Sequence, residues 1–314
     1  MNSPQPWLRK ASSITSRTSV PFVSRSINVN KGRGEKIKYC DNRIKTTRYT
    51  FVTLIPRNLF LQFHRLANVW FLVVSLLQLL PLNLSPTRSW GTIAPFALVL
   101  AVNLLKDLVV WYRRRAYDKR INNNDARRYD PESKTMIKVK WQDLYVGQII
   151  RLKQDHQVPA DIILLDTSDK KNHTCFVETS ALDGETNLKV RMPLKETTFQ
   201  SNDRFHYHKA DQLEEVSVEL PNENLYHFSG LIKLHRIPQR KVLDRNNFIM
   251  RGSVIKNTKW LYGLVVYTGK DTRLFRNLPK PPDKRSKIEV LLNKYLVVVF
   301  MIILVGAMIC AAVA

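Results

Sequence analysis

The sequence predicts membrane-spanning α-helices joined to a mainly β domain, and three observations carry that fold class. Long apolar stretches occur at residues 66–82, 90–115 and 290–314. Between 117 and 289 the apolar runs shorten to strand length and are separated by turn residues. Lys and Arg outnumber Asp and Glu by 50 to 26, and much of the excess flanks the apolar stretches.

Residues 1–36 are rich in Ser, Thr and Arg and lack the compact apolar run of a secretory signal, so a disordered basic tail is expected there. A pre-membrane segment at 37–65 leads to the first span, 66–82, "LANVWFLVVSLLQLLPL". It lies near the short limit, because a helix needs about 20 residues to cross a hydrocarbon core of about 30 Å. The second span, 90–112, ends in Trp111 and Tyr112 followed by Arg113, Arg114 and Arg115, the pattern of a cytosolic boundary. The third, 290–314, runs to the last residue.

Basic residues before the first span and after the second, against Arg88 alone in the 83–89 link, place both flanks in the cytosol. The formal charge of +24 is thereby mostly topological, with a contribution from anionic lipid. Nucleic acid is not expected as a partner, since no zinc-finger, basic-zipper or RNA-binding pattern occurs. The three cysteines, Cys40, Cys175 and Cys310, are too far apart to suggest a disulfide framework or a zinc site.

In the β domain, 136–141 alternates Ile137, Val139 and Trp141 on one face. Further strands are read at 146–152, 160–165, 248–255 and 260–269. A polar stretch near 193–247 is expected to leave the β core.

Residues 178–189, "ETSALDGETNLK", set Asp183 and Glu185 on either side of Gly184. By residue type this is either a solvated acidic turn or a carboxylate placed to act as general base on water. Polar groups within spans are costly and suggest function, so Gln78 and Asn68 are candidates, with hydrogen bonding between helices as the alternative. The adjacent Lys106 and Asp107 read as a structural charge pair. Three further patterns carry little. His206 and His208 lack a third ligand, the "NLS" sequon at 83–85 lies close to the bilayer, and "GKDT" at 269–272 lacks the Walker glycine.

Six segments, "CDNRIKTTRY" at 40–49, "QFHRLANVWF" at 62–71, "VPADIILL" at 158–165, "FVETSALDGETNLK" at 176–189, "MRGSVIKNTKWLYGLVVYTGKDTRL" at 250–274 and "PPDKRSKIE" at 281–289, resemble the type-IV P-type ATPases, the phospholipid flippases. The resemblance covers about residues 36–314. It implies that 117–289 is an actuator domain, a distorted jelly roll, whose Glu185 positions water against an aspartyl-phosphate carried by another domain. Gly184 would then permit close approach, and Asp183 and Thr186 would hold the loop. Gln78 and Asn68 would meet the lipid headgroup, although Leu79 stands where the family has a second glutamine, and Val110 and Trp111 stand where it has carboxylates. "PPDKRSKIE" would couple actuator rotation to the third span, or serve as a basic membrane anchor. ATP and Mg2+ are the family's cofactors, with no residue of this chain assigned to either and no metal site. A phospholipid substrate, the bilayer and a two-pass accessory subunit are the implied partners. The plasma membrane or Golgi and endosomal membranes are the implied location. A cation pump is disfavoured, because such actuators carry T-G-E rather than D-G-E. No D-K-T-G occurs, so the chain by itself is expected to lack ATPase activity, and a noncatalytic partner of a flippase is the alternative.

Overall fold

The computed structural model describes residues 24–29, 39–47, 49–79, 90–198, 212–235, 237–278 and 287–313. Most of the 1–36 tail, the 80–89 link with its sequon, His206 and His208, and 281–286 of the basic linker lie outside them. The chain divides into two compact units, one of residues 1–43 with 124–278 and one of 44–123 with 279–314.

The helical unit contains α1 (Phe51–Gln62), α2 (Leu66–Leu79), α3 (Trp90–Asn122) and α6 (Lys287–Val313). Of these, α3 and α6 are each long and apolar enough to cross a membrane. At 14 residues, α2 is about 21 Å long and falls short alone. It follows α1 through a bend of 95°, and the two pass the length and composition test only as a bent pair, a broken span or a re-entrant loop. On α1 the side chains of Phe51, Val52, Ile55, Phe60 and Leu61 are exposed.

With 33 residues, α3 is about 50 Å long and continues well past Tyr112. Its extension captures the segment before α1 by side-chain caps: Asp118 accepts from the Thr46 N–H at 2.9 Å and from the Thr46 hydroxyl at 2.8 Å. Asn122 accepts from the Ile44 N–H at 2.8 Å and donates to the Ile44 carbonyl at 2.9 Å, replacing the partners an extended backbone would find in a sheet. Trp111 donates its indole N–H to the Tyr49 carbonyl at 2.9 Å.

The β unit is built from antiparallel strands in three sheets. A six-stranded sheet has the order β11 (Phe248–Ile249), β5 (Asp161–Thr167), β13 (Trp260–Tyr267), β4 (Ile149–Lys153), β2 (Asp125–Asp130), β3 (Thr135–Lys140). Its centre is β5 against β13, both buried along their whole length, as continuous apolar runs require. The Ile162 side chain lies over Gly263 so closely that a Cβ there would sit 2.6 Å from Ile162 Cδ1. A three-stranded sheet has the order β12 (Val254–Lys256), β6 (Cys175–Glu178), β7 (Leu188–Arg191).

The remaining four-stranded sheet corrects two expectations. Its order is β1 (Ser24–Asn28), β8 (Leu213–Glu219), β9 (Gly230–Leu234), β10 (Ile237–Leu243). Part of the tail expected to be disordered is therefore a paired strand, with Ile27 fully buried opposite Val216. Burying one such side chain contributes about 1.5–3 kcal/mol, enough to offset the weak strand propensity of its Ser and Asn neighbours. The polar stretch near 193–247 supplies the other three strands, and Val216, Val218 and Ile232 join the core rather than leaving it. A third correction concerns 248–255, read as one strand. It splits into β11 and β12, which lie in different sheets, because Gly252 turns with φ +89°.

Asn42, fully buried, ties the chain ahead of the helices to four residues of this unit. Its amide donates to the carbonyls of Trp141 at 2.8 Å and Pro159 at 3.2 Å. Its oxygen accepts from Arg251 at 2.8 Å and from the Gly269 N–H at 3.1 Å. Asn42→Ala orphans these buried groups, a loss of about 3 kcal/mol or more. The expected result is a melting temperature lower by roughly 6–12 °C, read by thermal unfolding.

Candidate functional site: a carboxylate loop on the β unit

The 178–189 loop joins β6 to β7 through the single turn α4 (Ser180–Asp183). Gly184 closes α4 in the left-handed region at φ +76°, where a side chain would strain the backbone, and open space surrounds it. Asp183 looks inward with its side chain 7% exposed, while that of Glu185 is 54% exposed. Two neighbouring carboxylates are thus sorted by one turn into an inward, structural one and an exposed one.

Asp183 accepts from the Thr179 hydroxyl at 2.9 Å and from the Glu185 N–H at 3.0 Å, and Lys189 donates to it as well. Burial pushes this carboxyl up, but the bonds from Lys189, Glu185 and Thr179 outweigh it and hold the group below the usual carboxylate range. Lys189 also reaches Glu185 Oε2 at 2.9 Å. Its ammonium, opposed by burial, is raised by the two carboxylates. Thr186 is exposed and makes no hydrogen bond among the described residues. The holding role expected of it is filled by Thr179 and Lys189, which sequence reasoning missed. Four and six residues from Asp183, they are placed by the α4 turn and the β7 register, neither of which residue types disclose.

Asn68 and Gln78 lie in the other unit. Asn68 is 8% exposed and donates to the Gln62 carbonyl at 2.8 Å, capping the break between α1 and α2. Gln78 donates to the Thr92 hydroxyl at 3.1 Å. Asn68 thus bonds from α2 to the end of α1 and Gln78 from α2 to α3, each a hydrogen bond between helices. A cavity of about 720 Å³ within this unit is lined by Arg57, Asn58, Gln62, Lys106, Asp107 and Glu289, among others. Gln62 donates to Asn58 and Asn58 to Asp107, so Asp107 of the charge pair ends a chain of polar bonds. The signal that could have revealed it is the i, i+4 spacing of Asn58 and Gln62 on an apolar helix.

An inward-held aspartate, a glycine turn and an outward glutamate on a β domain, with helices fit to cross a membrane, define a membrane protein bearing an actuator-type loop. A family model described as P-type ATPase actuator domain matches residues 120–277, half of the chain, and one described as Phospholipid-translocating ATPase N-terminal matches 26–93. Phospholipid-transporting ATPase DRS2 of Saccharomyces cerevisiae is 36% identical over 271 residues, 85% of this chain and 19% of that protein. Phospholipid-transporting ATPase FetA of Mus musculus is 38% identical over 271 residues, 84% of this chain and 22% of that protein. A Toxoplasma gondii protein named guanylate cyclase is 40% identical over 297 residues, 94% of this chain and 7% of that protein. The chain belongs to the P-type ATPase family and carries the amino-terminal and actuator domains of its phospholipid-transporting branch. It spans about a fifth of the length of the two transporters.

Proposed function

We propose that the chain is the amino-terminal part of an ATP-driven phospholipid translocase moving lipid toward the cytosolic leaflet, and that Glu185 acts in hydrolysis of an aspartyl-phosphate on another domain. The observation that carries this is Glu185 itself, exposed on a left-handed turn with its backbone N–H fixed by Asp183. Water attacking phosphorus in line must lose a proton as the bond to the aspartate oxygen breaks, and a carboxylate beside it accepts that proton. Gly184 leaves the approach open and Asp183, with Thr179 and Lys189, keeps the loop rigid.

In this reading Gln78 and Asn68 mark the headgroup path along α2, and the cavity lined by Asn58, Gln62 and Asp107 extends it with polar groups. ATP and Mg2+ belong to the family's other domains. The basic flanks support a cytosolic β unit in a multi-pass protein, and the resemblance supports the plasma membrane or Golgi and endosomal membranes as its location and a two-pass accessory subunit as its partner. The test is reconstitution of the longer protein in vesicles with a fluorescent phospholipid. ATP-dependent movement to the cytosolic-side leaflet is expected, and none from the 314-residue chain alone. Lipid-stimulated hydrolysis by the isolated chain would overturn the assignment.

The similarity to the Toxoplasma gondii protein supports a second reading, in which these domains form the transporter-like membrane part of a nucleotide cyclase. Sequencing the transcript beyond Ala314 separates the two: a D-K-T-G frame alone supports the first, and a cyclase domain further on supports the second.

A further inference from the structure

Arg191, the last residue of β7, is 7% exposed. A short turn, Arg245–Asn247, lies against that end of the strand. The Met192 N–H donates to the Asn246 carbonyl at 3.0 Å, and the Asn247 amide donates to the Met192 carbonyl at 2.8 Å. These bonds bring buried Arg191 and half-buried Arg245 close enough for their charges to act on each other. Each guanidinium donates to a backbone carbonyl, Arg191 to that of Val190 at 2.9 Å and Arg245 to that of Phe248 at 3.3 Å. Neither has a carboxylate within ion-pair distance among the described residues, and Nε of Arg191 is buried there without a partner. Burial pushes both groups down, and Arg245 reaches about 10 because the charges of Arg191 and Arg273 add to it.

The acids around them are committed elsewhere. Asp183 is paired with Lys189, and Glu219 with Arg273. Asp161 accepts from the N–H groups of Arg251 and Arg273, and Asp244 caps its own turn by accepting from the Asn246 N–H at 2.8 Å. Burial pushes the Cys175 thiol up to about 11, so it carries no charge at neutral pH. A buried cation without a counter-charge is costly, and a second cation beside it raises that cost. A planar guanidinium offers paired N–H donors that match the oxygens of a tetrahedral anion. We propose that Arg191 and Arg245 form a binding site for a phosphate group, free or carried by a nucleotide, which enters from the half-buried Arg245 side and bridges the two guanidiniums. The site is separate from the carboxylate loop. β6 and β7 pair from Glu178 with Leu188 to Cys175 with Arg191, so at about 3.3 Å per residue Arg191 lies about 10 Å along the strand from the loop. It stands whether or not Glu185 acts in hydrolysis.

Thermal unfolding of the 314-residue chain in detergent micelles tests it, with inorganic phosphate titrated against sodium chloride at matched ionic strength. Phosphate is expected to raise the melting temperature saturably by about 2 °C or more, and chloride is not. Arg245→Gln should lose the rise. Should that variant fold poorly, phenylglyoxal labelling of the unaltered chain reads the same site: phosphate should protect Arg245 while arginines elsewhere on the surface stay reactive. Repeating the titration with ADP distinguishes the sources. A half-maximal effect at a concentration about tenfold lower than for phosphate assigns a nucleotide, and an equal or weaker effect assigns the free anion. An equal rise with chloride, an undiminished response in Arg245→Gln, or labelling of Arg245 that phosphate leaves unchanged overturns the site.

Discussion

Glu185→Gln in the full-length transporter is expected to accumulate phosphoenzyme and to abolish lipid-stimulated turnover. The substitution keeps side-chain length and the N–H bond to Asp183 Oδ1, so the loop retains its shape. What disappears is the proton acceptor and one arm of the Lys189 pair. General-base catalysis contributes typically 10²- to 10⁴-fold, so dephosphorylation should slow by about that factor. Phosphorylation by ATP should be unaffected, and acid-quenched incorporation of labelled phosphate would rise accordingly. Unchanged decay of the labelled intermediate would refute the role given to Glu185.

Asp161→Ala is expected to be the most damaging single change in the β unit. Fully buried at the start of β5, Asp161 accepts from the backbone N–H of Arg251 at 2.6 Å and of Arg273 at 2.9 Å, pinning two loops to the central sheet. Removing it leaves two buried N–H groups without an acceptor, a loss of about 3–5 kcal/mol, and melting should fall by roughly 10 °C or more. Burial pushes this carboxyl up to about 6, against the opposing effect of the two N–H bonds and the Arg273 and Arg251 charges. A folded-state pKa above the unfolded 3.8 means that the contribution is fully present below pH 3.8 and is lost as pH rises through about 6. Across that window the loss is about 3 kcal/mol. Asp161→Asn, neutral at every pH, should not show it. Subtracting its unfolding free energy from that of the wild type at pH 4 and pH 7 isolates the effect, and a flat difference would show that Asp161 stays ionised throughout.

The parts legible in the sequence were those where burial acts on a continuous stretch. Ile162–Leu165 of β5 and Trp260–Tyr267 of β13 are runs without a charged residue, and α3 and α6 are long and apolar enough to cross a membrane. β1 was not legible, because a strand anchored by Ile27 among Ser24, Arg25, Ser26 and Asn28 has the composition of a tail. The break of 248–255 depends on Gly252 turning under the demand of Asp161 for the Arg251 N–H, a contact 90 residues away in the chain. At the loop, the types and spacing of Asp183, Gly184 and Glu185 were readable. Which carboxylate faces outward depends on Thr179 and Lys189, whose positions only the folded turn supplies.

The edge position of β1 has a practical consequence for recombinant work. A protein shortened to begin after Asn28 would strip β8 of its partner on one side, leaving a row of free amides and carbonyls ready to pair with a neighbouring molecule. It would also empty the socket filled by Ile27, so such a shortened product should aggregate on concentration even with every helix and the carboxylate loop intact.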